Sequence, residues 1–334
     1  MSNIRLGIIG AGTVTQTAHL PILSKMTDID LVGICDTEKT RLRTVADKYH
    51  LDIRESEYRK FLERDDIDAV IIATPTDKHF EIGMAAVEAG KHVLIERPFT
   101  RTVEEAAALS KASAETEQVF IVGMNHRFRL DNMTLKNLVA NGELGSIYSV
   151  NASWLNFRST QQKWALSRRR SGGGVLIDLG IVMLDLVLWM LDFPKVVSIS
   201  ATMRKDKTSN VEDSAACFIR LENDITFYMN VSWTAVLEKP VYGLELVGTD
   251  GSATINPLKI HKIIADSPVN VTPILKESVS SIYKRSYEHE LRHFAGAMKG
   301  LHPPISTASE AFKRMKLVEA AYSSAELQKE IQIQ

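Results

Sequence analysis

The chain has 334 residues, with 40 lysines and arginines against 41 aspartates and glutamates, a formal net charge of −1. That balance excludes a general attraction to nucleic acid or anionic lipid, and the length predicts two domains with ample room for a core. The two cysteines, Cys35 and Cys217, lie in apolar strand-like runs, which excludes a disulfide framework and reads as small core residues.

The N-terminus opens directly on a strand pattern, so no signal peptide is expected and the protein reads as soluble and cytoplasmic. Arg5–Ile9 is a short apolar run followed at once by Gly10-Ala11-Gly12, a helical stretch, a second run Leu31–Cys35, and then Asp36. This order predicts a Rossmann unit. The first glycine makes the tight turn, the second lets backbone N–H groups of the helix start at Thr13 and Val14 approach a pyrophosphate, and an acid ending the second strand accepts ribose hydroxyls. The third position of the glycine pattern is Thr15. A carboxylate at 36 favours NAD(H), while Lys39 and Arg41 leave NADP possible. The apolar runs Ala69–Ala73, His92–Ile95 and Val119–Val122, with an alanine-rich helix over 103–113, extend the pattern to a doubly wound parallel sheet. The boundary is placed after residue 123: residues 1–123 as the NAD(P)-binding Rossmann domain, and 124–334 as a C-terminal α/β domain for substrate and oligomerisation.

Past residue 145 the period changes. Tyr148, Val150, Ala152 and Trp154 alternate with polar residues, as do Ile225, Phe227, Met229, Val231 and Trp233. Such alternation predicts an α+β domain on a large, mostly antiparallel open sheet with one buried face. Its other face, small polar and aromatic, suits self-association. Asp250-Gly251 marks a hairpin. The apolar run 175–191 is short for a membrane span and contains Asp178 and Asp185, so a buried helix is expected. A tail helix over 306–329 follows Pro303-Pro304. No CxxC or HExxH spacing occurs, and His289 and His293, four apart, lack an evident third ligand, so no metal is expected.

Several segments together resemble one family: Ala73-Thr74-Pro75-Thr76-Asp77-Lys78-His79, Ala89 through Glu96-Arg97-Pro98, Gly123 through Phe128, and Gly172 through Gly180. They are similar to the glucose-fructose oxidoreductase / inositol dehydrogenase / rhizopine catabolism (Gfo/Idh/MocA) oxidoreductases, over essentially the whole chain. The resemblance implies an N-terminal Rossmann domain, a C-terminal domain with an open sheet that mediates oligomers such as a homodimer or homotetramer, and NAD(P). It also implies sugar, cyclitol or acidic sugar-like substrates. Thr74, Pro75, His79, Glu96 and Arg97 would border the cofactor, His19 would lie near the nicotinamide side, and Pro98 would follow a cis bond.

The chain departs from the family at both motifs that usually carry the chemistry. Arg97 stands where a lysine is usual, and Val182 where a histidine is usual. Arginine remains protonated and cannot be the base, though its fork can hold an oxygen; valine can do neither. A hydroxyl that loses a hydride must still release its proton. The remaining candidates are Asp178, Lys163 and His126, with Arg97 orienting the substrate oxygen. Asp178 can instead serve a structural bond to Arg97, Lys163 or a turn. Asp185 and Arg127 read as structural. Arg168-Arg169-Arg170 reads as a solvated charge run or as a clamp for an anionic substrate. The expected function is a hydride-transferring dehydrogenase or reductase acting on CH–OH, the alternative a non-catalytic dinucleotide-binding regulator of the same fold.

Overall fold

The structure is a computed structural model that describes residues 3–158, 163–208, 210–274 and 278–333. The chain folds into two compact units: residues 1–125 with 287–315, and residues 126–286 with 316–334.

Unit 1 holds six strands, β1 Ile4–Ile9, β2 Ile29–Cys35, β3 Ile53–Glu55, β4 Ala69–Ile72, β5 His92–Ile95 and β6 Phe120–Val122. They form an all-parallel sheet in the order β3-β2-β1-β4-β5-β6. The chain reverses direction of growth at β1, so the carboxyl ends of β1 and β4 flank the switch point where such sheets take their ligands. Burial on both faces explains the continuous apolar runs: all four residues of β4 are buried. The helix Val103–Ala114 starts on Thr102, whose hydroxyl accepts the Glu105 N–H at 3.3 Å.

The segment from Tyr287 belongs to this unit. Leu291, Phe294 and Ala295 pack into the same core as Leu6, Ile8, Ile34, Ile71 and Leu94. Ser306 clips to β6 in both directions, since the Val122 N–H donates to its carbonyl at 2.8 Å and its hydroxyl donates to the Val122 carbonyl at 2.6 Å.

Unit 2 is built on a nine-stranded sheet. Its strands are β7 Ile147–Leu155, β8 Val196–Arg204, β9 Ser214–Leu221, β10 Thr226–Ser232, β11 Val241–Gly248, β12 Gly251–Thr254, β13 Lys259–Ile264, β14 Ser267–Asn270 and β15 Ile331–Gln332. The order is β14-β13-β12-β11-β7-β10-β9-β8-β15, and only the β7–β10 pair is parallel. Phe227, Met229 and Val231 are buried while Tyr228 is 53 % exposed, as the alternation of β10 requires. Tyr148 shares the phase of Val150 yet is 51 % exposed, because it stands at the start of its strand.

The helical stretch Arg168–Met190 is long and apolar enough to cross a membrane, but 89 % of the apolar 18-residue window within it is buried inside the fold, as in a core helix. The expected Asp250-Gly251 hairpin joins β11 to β12, with Val247 opposite Ser252. Gly251 is there for space and not for the turn: a Cβ would meet the His261 carbonyl oxygen at 2.4 Å. Both cysteines are buried and unpaired, their thiols pushed up to about 12 by burial.

Candidate functional site

The glycine turn after β1 is shaped for close approach. Gly10 has φ +105°, and a Cβ there would meet the Ala73 carbonyl oxygen at 2.4 Å. A Cβ on Gly12 would touch nothing nearer than 3.9 Å, so that glycine leaves a cradle open at the helix start. Thr13 and Val14 form the first turn, where helical N–H groups lack an intrahelical acceptor and favour an anion. Thr15 has a role of its own: buried, it donates its hydroxyl to the Gly10 carbonyl at 2.6 Å and pins the turn. From Thr15 to His19 the helix widens into a π-type turn, a feature that recurs at functional sites.

Asp36, ending β2, reaches back to this turn. Its Oδ2 accepts the Ala11 N–H at 2.7 Å and its Oδ1 the Glu38 N–H at 2.8 Å. Arg41 adds a bidentate fork, Nε to Oδ2 at 3.0 Å and NH2 to Oδ1 at 2.6 Å. Glu38 caps the helix Lys39–Tyr49, accepting from the Thr40 and Arg41 N–H groups.

After β4, the hydroxyls of Thr74 and Thr76 are buried without a hydrogen-bond partner. Such groups are costly unless a ligand or water meets them. Open cradle, helix start, acid and unpartnered hydroxyls all lie along the carboxyl ends of the sheet, and together they fit a dinucleotide. His79 is buried with its two ring nitrogens 2.9 Å from the Thr74 and Pro98 carbonyl oxygens. Burial lowers its pKa against the pull of those carbonyls, which favour the cation. It therefore ties the loop after β4 to Pro98, whose bond to Arg97 is cis.

Glu96 accepts from or donates to fully buried His19 across 2.8 Å, according to the proton's place. Burial pushes the Glu96 carboxyl up, but the His19 hydrogen bond and charge, with Arg97 and His79, outweigh it and hold it low. Gly123 makes room for this carboxylate, since a Cβ would stand 3.3 Å from Oε2. Arg97 is half-buried beside it.

In unit 2, Asp178 sits in a second π-type turn, Leu176–Gly180. Its Oδ2 accepts from Arg158 NH1 at 2.8 Å and from the Trp233 indole at 3.0 Å. Sequence reasoning foresaw a donor for this carboxylate but missed both, because Arg158 and Trp233 meet it only across the sheet. His126 is buried among Trp154, Tyr242 and Tyr283, its Nδ1 2.7 Å from the Tyr242 hydroxyl. Arg127 and Asp185 form a fully buried bidentate pair at 2.9 and 2.6 Å. Lys163 is exposed in a turn, and Val182 is wholly buried.

Glu212 was not singled out in the sequence. Its carboxylate accepts the Gly174 and Leu176 N–H groups and the Tyr322 hydroxyl at 2.9, 3.0 and 2.7 Å, fixing the start of the Asp178 segment. The triple glycine follows from this packing: a Cβ on Gly174 would stand 2.0 Å from the Glu212 carbonyl oxygen, and one on Gly173 would stand 1.9 Å from the Tyr322 hydroxyl. Among the described residues no group of three metal-ligating side chains occurs. His293 accepts the Ile305 N–H at 3.0 Å and stacks on His302 at 4.3 Å, a structural arrangement.

Comparison with known proteins agrees with this geometry. Residues 4–124 match the oxidoreductase family with an NAD-binding Rossmann fold, GFO_IDH_MocA, and residues 132–254 match a C-terminal domain of the same family. The D-glucoside 3-dehydrogenase of Escherichia coli (strain K12) is 29 % identical, over 97 % of this chain and 96 % of the relative. The scyllo-inositol 2-dehydrogenase (NAD(+)) of Bacillus subtilis (strain 168) is 26 % identical, over 96 % and 94 %. A solved levoglucosan dehydrogenase in complex with NADH and levoglucosan superimposes with a TM-score of 0.91 at 21 % identity, over 99 % of this chain and all of the other. The chain belongs to the Gfo/Idh/MocA oxidoreductase family, and its N-terminal unit is an NAD-binding Rossmann domain. It is an NAD(P)-dependent dehydrogenase or reductase. The regulatory alternative finds no support in these comparisons.

Proposed function

We propose that the chain moves a hydride between nicotinamide C4 of NAD(H) and a carbinol carbon of a sugar, cyclitol or acidic sugar-like compound. The observation that carries this reading is the meeting of Asp36 with the glycine turn, Oδ2 2.7 Å from the Ala11 N–H. The relatives named for a glucoside and an inositol support a polyhydroxylated substrate.

When bound, NAD supplies the hydride acceptor; the chain supplies everything else. Gly10, Gly12, Thr13 and Val14 would meet the pyrophosphate and Asp36 the ribose hydroxyls. Thr74, Pro75, His79 and Glu96 would border the cofactor, with His19 holding Glu96 in place. Arg97 stays cationic and orients the substrate oxygen, stabilising alkoxide character as the hydride departs. The hydroxyl proton is assigned to Asp178, which Arg158 and Trp233 hold through one oxygen. An ion-paired carboxylate is a weak base, so the proton passes onward to water. Lys163 is the second candidate because it is exposed to solvent. His126 ranks third, since its Nδ1 already faces the Tyr242 hydroxyl. A cytoplasmic location suits two buried, unpaired thiols and a shared NAD(H) pool. A homo-oligomer through the open sheet face of unit 2 completes the reading.

Fluorescence titration with NADH, followed by turnover on a panel of glycosides, cyclitols and sugar acids, tests it. Binding with turnover of at least one panel member is expected, with kcat reduced about 10²–10⁴-fold in Asp178→Asn. Binding without turnover on any of them overturns the enzymatic assignment. An active enzyme indifferent to both Asp178→Asn and Lys163→Met overturns the proton assignments.

A further inference from the structure

The Asp36 carboxylate is already saturated. Two carboxylate oxygens offer about four lone-pair sites, and four donors occupy them: the Ala11 N–H and Arg41 Nε on Oδ2, the Glu38 N–H and Arg41 NH2 on Oδ1. The two backbone donors belong to the glycine turn and to the helix entry, and cannot leave without undoing both. The Arg41 side chain is 42 % exposed against 5 % for Asp36, so the fork is the movable party. A ribose hydroxyl can therefore be accepted by Asp36 only where Arg41 gives way.

We propose that Arg41 is a displaceable gate that sets the coenzyme preference. It competes with the adenosine ribose diol for Asp36 and so weakens NAD(H). Displaced, it remains tethered on the first turn of its helix and offers a fork to a 2′-phosphate. The bare carboxylate would repel that phosphate; the pair tolerates it. This rests on the placing of the ribose at Asp36, and it assigns to Arg41 a role beyond that placing.

The test compares NADH and NADPH dissociation constants by fluorescence titration in the wild type, Arg41→Ala and Arg41→Lys, at low and at high salt. In Arg41→Ala, NADH affinity is expected to rise roughly two- to fivefold, the worth of a half-exposed pair. NADPH affinity is expected to fall by about tenfold or more, with a shallower salt dependence. Arg41→Lys, which keeps the charge without the fork, falls between. A preference ratio within about twofold of wild type in Arg41→Ala, or weaker NADH binding there, overturns the gate while leaving the dinucleotide site standing. A wild type that binds neither nucleotide overturns the site itself. Far-ultraviolet circular dichroism of each variant checks that the exposed substitution leaves the fold intact.

Discussion

At the scale of single residues, the two positions where the resemblance leads one to expect a lysine and a histidine hold Arg97 and Val182. Val182 is fully buried in a core helix and offers no proton to move. Asp178, by contrast, meets a cation and an indole that no spacing rule brings together, being 20 and 55 residues away. His293, bonded to the Ile305 N–H and stacked on His302, has a structural part that shows through pH. Burial, with the charge of His302 added, pushes its pKa from 6.5 to about 4. The folded form needs the neutral ring, because Nε2 accepts the Ile305 N–H. The unfolded chain takes up the proton first as pH falls, so this contribution is present above pH 6.5 and is lost between there and about 4. Urea unfolding at about pH 7.5 and about pH 5 should show a loss that shrinks in His293→Gln, which is neutral at both. An undiminished loss in that variant would assign the acid sensitivity elsewhere.

At the scale of elements, the core helix Ile181–Met190 shows how a charge survives in apolar surroundings. Nine of its ten residues are buried, Asp185 among them. The guanidinium of Arg127 satisfies it through two bonds, and the rings of Trp189 and Phe193 lie 5.9 and 5.3 Å from that guanidinium. Removing one partner leaves the other charged, buried and without its main counter-ion. Asp185→Ala should therefore cost about 3–5 kcal/mol, read as a lowered urea midpoint. The double variant Arg127→Met with Asp185→Leu should recover much of that loss, since an apolar pair of similar volume carries no desolvation penalty. A double variant no better than the single would show that the pair does more than neutralise itself. The elements the sequence did not announce are those with weak periodicity. β3 has three residues and β15 two, and the tight link from β9 to β10 turns on Asn223 and Asp224, both with positive φ (59° and 58°). Asparagine and aspartate tolerate that region, which is the signal that could have located this hairpin.

At the scale of the whole molecule, the parallel sheet was legible because burial on both faces forces continuous apolar runs, and the glycine turn because only certain residues fit it. The acid after β2 was legible as well: Asp36 must follow that strand to reach Ala11. The return of Tyr287–Met315 to the first unit was not legible, since a helix face records that it is buried but not against what. The partners of Asp178 were not legible either, because Arg158 and Trp233 meet it only once distant strands are brought together. One face of the nine-stranded sheet stays open. It presents Tyr228 at 53 % exposure, with Phe218 4.9 Å from it ring to ring, beside a groove of about 590 Å³ that Asn151, Ser153 and Asn230 help to line. Small polar residues let a second sheet approach closely, and the aromatic pair supplies apolar area at its middle. A homodimer or homotetramer should therefore appear in light scattering, and Tyr228→Asp with Phe218→Asp should shift it to smaller species by burying charge against charge. A wild-type monomer at all concentrations would remove this face from the assembly, and an unchanged oligomer in the double variant would move the contact to another surface.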